Sequence, residues 1–129
     1  MNATILPPEF ENMLNQAKSY FKRSSVKNVE YHQCIILRTA DGIEKIYSFA
    51  CNSVKELIKQ SCSMLYQENI STVTHIICMW EDESIDIPSY KFTETLCKIS
   101  IENKNAKILL KSSPDTCNYI IKKLSDIIG

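Results

Sequence analysis

Four carboxylates, Glu81, Asp82, Glu83 and Asp86, follow Trp80, the chain's one tryptophan. Hard cations such as Mg²⁺ or Ca²⁺ want several carboxylate oxygens, so this group could serve a metal-dependent hydrolase. Its spacing does not suit a calcium loop, which alternates its acids, bends at a glycine and closes on a glutamate. A solvated turn between two apolar strands accounts for the same residues, and on that reading no metal is held. Trp80 ends an apolar run, which predicts a half-buried ring at a strand end, usable as a binding anchor.

His32 and Cys34 stand two apart, on one face of a predicted strand, the spacing of an imidazole-activated thiol. Cys34 opens a continuous apolar run, so a buried structural thiol is expected instead. His75 and Cys78 are three apart and face opposite ways on a strand. Two histidines, and six cysteines without a C-x-x-C pair, offer no zinc ligand set. Asp86 with Glu102 and Lys104 echoes the acid, acid-x-Lys pattern of some metal-dependent nucleases, but Glu102 and Lys104 fall in an asparagine-rich turn. With glycine only at 42 and 129, neither a dinucleotide fingerprint nor a phosphate loop can form, and no G-x-S-x-G elbow is present.

The elements that must position these residues are legible from periodicity. Pro7 and Pro8 open a helix carrying Phe10, Met13, Leu14, Ala17, Tyr20 and Phe21. A strand through His32 and Cys34, the turn Ala40-Asp41-Gly42 and a return through Ile46 and Phe49 make a hairpin. Ser53 with Glu56 forms a capping-box pattern for a second helix. The run 72–80 reads as a central strand, residues 81–84 as a turn, and 85–88 as a short return ending at Pro88. Ser89 caps a third helix with Phe92, Leu96 and Ile99, residues 106–111 form a last strand, and Pro114 with Asp115 opens a helix carrying Cys117, Ile120, Ile121, Leu124, Ile127 and Ile128. The segment 98–111 also alternates well enough for a hairpin.

The expected fold is α+β, an antiparallel or mixed sheet of about five strands with helices packed on one face, in the order α-ββα-ββα-βα. The length of 129 residues predicts one domain over 1–129, with 1–25 a peripheral helical region. Fifteen basic and fifteen acidic side chains give a net charge of zero, which argues against nucleic acid as partner. No leader pattern and no apolar run of membrane-spanning length are present, so a cytoplasmic protein with reduced thiols and no membrane contact is expected. Richness in Ile, Lys and Asn, residues with AT-rich codons, suggests a low-GC bacterium or its phage.

With no assembled chemistry, these features predict a small cytosolic protein–protein interaction module, adaptor or inhibitor-like, without catalytic activity and without a cofactor. Its partner would be another protein or a second copy, as a homodimer, met through Trp80, Tyr20, Phe21 and Tyr90. The alternatives are a metal-dependent hydrolase using Glu81, Asp82, Glu83 and Asp86, and a small-ligand-binding sensor domain.

Overall fold

The computed structural model describes residues 2, 3, 6–111 and 118–128. Helix α1 (Pro8–Arg23) starts with proline at its first position and places Glu9 and Glu11 in its first turn and Lys22 and Arg23 in its last, complementing the helix dipole. Strands β2 (Tyr31–Thr39) and β3 (Glu44–Cys51) form the expected hairpin. Helix α2 (Val54–Gln67) is capped by the Ser53 hydroxyl, which accepts from the Glu56 N–H at 3.3 Å. After β4 (Val73–Trp80) comes α3 (Tyr90–Ile99), capped by Ser89, whose hydroxyl accepts from the Phe92 N–H at 3.0 Å. A 3₁₀ turn over Ile101–Asn105 leads into β5 (Lys107–Lys111), so 98–111 is helix end, turn and strand rather than a hairpin. Strand β6 (Tyr119–Lys123) and the short α4 (Leu124–Ile128) close the chain.

The class is α+β: among the described residues, four α-helices pack on a mixed sheet of five longer strands and one two-residue edge strand. The two-residue β1 (Asn2–Ala3) extends one edge, giving the order β1-β6-β5-β4-β2-β3. β4 and β5 pair in parallel, and every other neighbouring pair is antiparallel. Residues 34–37 and 76–79 are buried on both faces, as continuous apolar runs in central strands require. On one face Ile35, Leu37, Ile76 and Cys78 pack with Met64 and Leu65 of α2, Phe92 and Leu96 of α3, and Leu124 of α4. On the other, Cys34, Ile36, Ile77 and Met79 meet Phe10, Met13, Leu14 and Ala17 of α1. The one-face expectation thus describes α2, α3 and α4, while α1 covers the reverse.

Two local assignments differ from expectation. The return after the acidic turn is a single bridge, Met79 to Ile85, with the Asp86 N–H donating to Cys78 O at 3.2 Å, because β5 takes the same edge of β4 at His75 and Ile76. Residues 119–123 are strand rather than helix: Ile120 and Ile121 suit either period, and pairing with Leu110 and Leu109 decides. Pro114, Asp115 and Cys117 of the expected helix start lie outside the described residues.

The turns after β2 and β4 share one hydrogen-bond pattern. In the first, Thr39 N–H reaches Ile43 O at 2.9 Å and Gly42 N–H reaches Thr39 O at 2.9 Å. In the second, Trp80 N–H reaches Ser84 O at 2.9 Å and Glu83 N–H reaches Trp80 O at 2.8 Å. Both place the third loop residue in the left-handed region, Gly42 at φ 84° and Glu83 at φ 67°. A side chain there costs roughly 1–2 kcal/mol, partly offset by the extra freedom of glycine in the unfolded chain. Glu83→Gly is therefore expected to raise the unfolding free energy by about 0.5 to 1 kcal/mol in urea denaturation; an unchanged or lower midpoint contradicts the strain.

Candidate functional site

The start of β2 lies beside the ends of β3 and β4, with Tyr31 opposite Cys51 and Gln33 opposite Trp80. The end of β5 joins them through Lys111 N–H, which donates to Ile85 O at 3.0 Å. Between these ends opens a cleft of about 530 Å³, lined by His32, Trp80, Glu81, Asp86 and Lys111 among others.

His32 is the most constrained polar group there. Only 3% exposed, it is stacked edge-on by Tyr20 and Phe21 from the end of α1, with ring centroids 5.4 and 4.9 Å away. Its Nε2 is 2.6 Å from the Tyr20 hydroxyl. Its Nδ1 is buried with no hydrogen-bond partner and sits 3.6 Å from Glu81 Oε2, beyond hydrogen-bond length. The Glu81 N–H donates to His32 O at 3.1 Å, fixing the carboxylate's residue beside the ring. If Tyr20 donates to Nε2, the proton sits on Nδ1 and faces Glu81; if Tyr20 accepts, Nδ1 offers a lone pair. An unpaired buried polar atom costs about 1–3 kcal/mol, which a small shift of Glu81 or an incoming polar group would relieve.

The other acids do not converge on this point. Asp82 folds back on its own turn, accepting from the Ser84 hydroxyl at 2.6 Å and the Ser84 N–H at 3.0 Å, bonds that hold its carboxyl below the usual range. Asp86 accepts from the N–H of Ile87 at 2.7 Å, and Glu83 is exposed on the turn. Among the described residues no three His, Cys, Asp or Glu side chains form a group that could hold a metal ion. Glu102 lies at the far end of β4, within 3.4 Å of the Thr72 hydroxyl, so the nuclease-like pattern is not assembled.

Of the residues expected to meet a partner, Tyr90 is 63% exposed, Trp80 is half-buried, and Tyr20 and Phe21 turn inward onto His32. No local sequence signal links Tyr20, His32 and Glu81, which come from a helix end, a strand start and a turn.

Four of the thiols are poor nucleophiles. Burial pushes Cys34 up to about 12 and Cys78 well above the ordinary range, and raises Cys62 and Cys97. All five cysteines within the described residues are free. His75 faces Phe10 at 5.0 Å on the α1 side, away from Cys78, as the strand period requires.

No protein-family model and no curated protein matches the sequence. Among solved structures, the chain resembles the crystal structure of cytidine deaminase from Mycobacterium leprae, with a TM-score of 0.58 and 12% identity over 92% of this chain and 96% of that one. The fold is cytidine-deaminase-like. This likeness overturns the expectation of a non-catalytic adaptor, since the architecture is one that a cytidine deaminase uses. The sequence pointed the other way because it carries no recognisable catalytic motif.

Zinc deaminases hold the metal on one His and two Cys, or three Cys, with a glutamate as acid–base, in an H-x-E…P-C-x-x-C signature. Neither half occurs here. No His or Cys has a Glu two residues later, and the closest approach to the second half is Pro88-Ser89-Tyr90-Lys91-Phe92. At those two cysteine positions Ser89 spends its hydroxyl on capping α3, and Phe92 is fully buried in the core. These residues do not fit the metal. Protein purified from zinc-supplemented medium is expected to contain well under one equivalent by elemental analysis, and stoichiometric, chelator-resistant zinc would overturn this.

Proposed function

We propose that the protein binds a small polar molecule in the cleft and acts on it with His32 and Glu81 as an acid–base couple, aligned by Tyr20. The observation that carries this reading is His32 Nδ1, buried and unpartnered at 3.6 Å from Glu81 Oε2. A histidine held by one nitrogen and faced by a carboxylate at the other can move a proton on a bound molecule, which contributes typically about 10²–10⁴-fold to a rate. The cytidine-deaminase-like scaffold supports hydrolysis as the reaction class, here with protein groups in place of a metal.

A groove of about 560 Å³ between α2 and β3, lined by Tyr47, Phe49 and Met64, is slightly larger. It holds no buried polar atom left without a partner, so the cleft is preferred. A cytoplasmic setting belongs to the same reading, supported by the free thiols. Among the described residues no helix is long and apolar enough to cross a membrane.

The test is a screen of small amides, amidines and nucleosides by ¹H NMR. Turnover of one of them is expected to fall at least about 100-fold in Glu81→Gln, whose side chain cannot take the proton. Turnover that survives the substitution would sink the acid–base assignment.

A further inference from the structure

We infer that the β3 edge of the sheet is an interface between two copies of this chain, formed by antiparallel pairing of β3 with β3 about a two-fold axis at Ile46. β3 is the last strand of the sheet and, among the described residues, pairs with β2 alone. The bond from Thr39 N–H to Ile43 O sets the alternation, so Lys45, Tyr47, Phe49 and Cys51 turn their backbone groups to β2. Glu44, Ile46, Ser48 and Ala50 therefore present theirs outward. Sheets guard such an edge by keeping it short, by proline, by a bulge or by charge. The opposite edge is guarded, since β1 has two residues. β3 has eight, with no proline and an unbroken register against β2. Its two charges stand together at one end, so Ile46 to Ala50 is an unguarded template for another strand.

Charge complementarity names a second copy as the occupant. With Ile46 on the axis, each Ile46, 44% exposed in one chain, covers the other. Glu44 then stands opposite Ser48, and Lys45 opposite Tyr47. Glu44 is already paired with Arg38, whereas Lys45 is in no ion pair among the described residues. The Tyr47 hydroxyl donates to Glu68 Oε1 at 3.3 Å, and Lys45 lies on the same face of the strand as Tyr47. The Lys45 ammonium of one copy therefore meets the Tyr47 ring and the Glu68 carboxylate of the other. The two-fold repeats that contact on the far side of the axis, and no like charges face each other along the strands. None of the residues lining the cleft lies within 44–50, so this inference stands apart from the ligand-binding reading.

Sedimentation velocity of the full chain over a concentration series is expected to reach twice the 14.8 kDa of one chain. Ile46→Lys sets two ammonium groups against each other on the axis and should weaken association at least about 100-fold. Ile46 is exposed, so the circular dichroism of that variant should match the parent's. Lys45→Glu and Glu68→Lys should each weaken association about tenfold, and the two changes together should restore it. A chain that stays monomeric throughout overturns the inference, as does a dimer that survives Ile46→Lys. A monomer whose Ile46 and Ser48 amides shift with a synthetic peptide of alternating threonine and valine gives the edge to a foreign strand and overturns the second copy as its occupant. A double variant that associates no better than the single ones overturns the pairing of Lys45 with Glu68, and with it the register.

Discussion

Replacing Asn103 with alanine is expected to cost about 3 kcal/mol of stability, read as a fall of roughly 10 °C in Tm. Asn103 is fully buried on the 3₁₀ turn between α3 and β5. Its Oδ1 accepts from the Val73 N–H at 2.8 Å, and its Nδ2 donates to Ser71 O and Leu96 O, both at 2.8 Å. One amide thus ties the start of β4 to the end of α3, and its removal leaves the Val73 N–H and Ser71 O short of a partner, while Leu96 O keeps the Ser100 N–H at 3.2 Å. Each such group costs about 1–3 kcal/mol when water cannot reach it, and partial hydration at the turn keeps the total near the middle of the combined range. Asn103→Asp keeps an acceptor for Val73 but loses both donors and buries a charge, so it should be no better than alanine. A fall of less than about 0.5 kcal/mol in either variant would mean that the turn re-forms its bonds to solvent.

Phe92→Ala is expected to cost about 4 kcal/mol by the same denaturation measurement. Phe92 is fully buried against the sheet face shared by α2 and α3, and its loss opens a cavity that fixed strands on one side cannot fill. Phe92→Cys should cost nearly as much, since a thiol fills little of the ring's volume. This bears on function as well as stability. Phe92 is the second cysteine position of the P-C-x-x-C comparison, and a residue committed to packing there is incompatible with a metal ligand. A Phe92→Cys protein of undiminished stability that takes up zinc would contradict that assignment.

The fold was largely legible because its signals are local. Helix starts at Pro8, Ser53 and Ser89 follow from proline and hydroxyl capping, and Asp41-Gly42 marks the β2–β3 hairpin because glycine relieves the left-handed turn position. The equivalent turn after β4 was legible from its charges, although Glu83 stands where glycine would be expected. Ile120 and Ile121 carry a helical signal in sequence because apolar residues at 117, 120, 121 and 124 satisfy the 3.6-residue period. Their strand pairing with β5 is tertiary information that no window of sequence contains.

The candidate site was legible only in part. Trp80 and the acids were found as a turn, and they do form one wall of the cleft. On the strand His32 shares a face with Cys34, two residues on, whereas its ring nitrogens lie nearest Tyr20 and Glu81, 12 and 49 positions away in the chain. Tyr20 and Phe21 looked like an exposed helix end because nothing in α1 records that the start of β2 packs beneath it. The fold's likeness to a deaminase was hidden for a related reason: architecture is retained by burial patterns that many sequences satisfy, while the metal signature is absent from this one.

The most direct test of the ligand site is chemical-shift mapping of ¹⁵N-labelled protein against a library of small polar fragments. The proposed site predicts that binding fragments shift the amides of His32, Trp80, Glu81 and Lys111, and that these shifts vanish in His32→Phe, which fills the ring's place without a polar nitrogen. Fragments that instead move Tyr47, Phe49 and Met64 in the α2–β3 groove, or that bind His32→Phe unchanged, would contradict it.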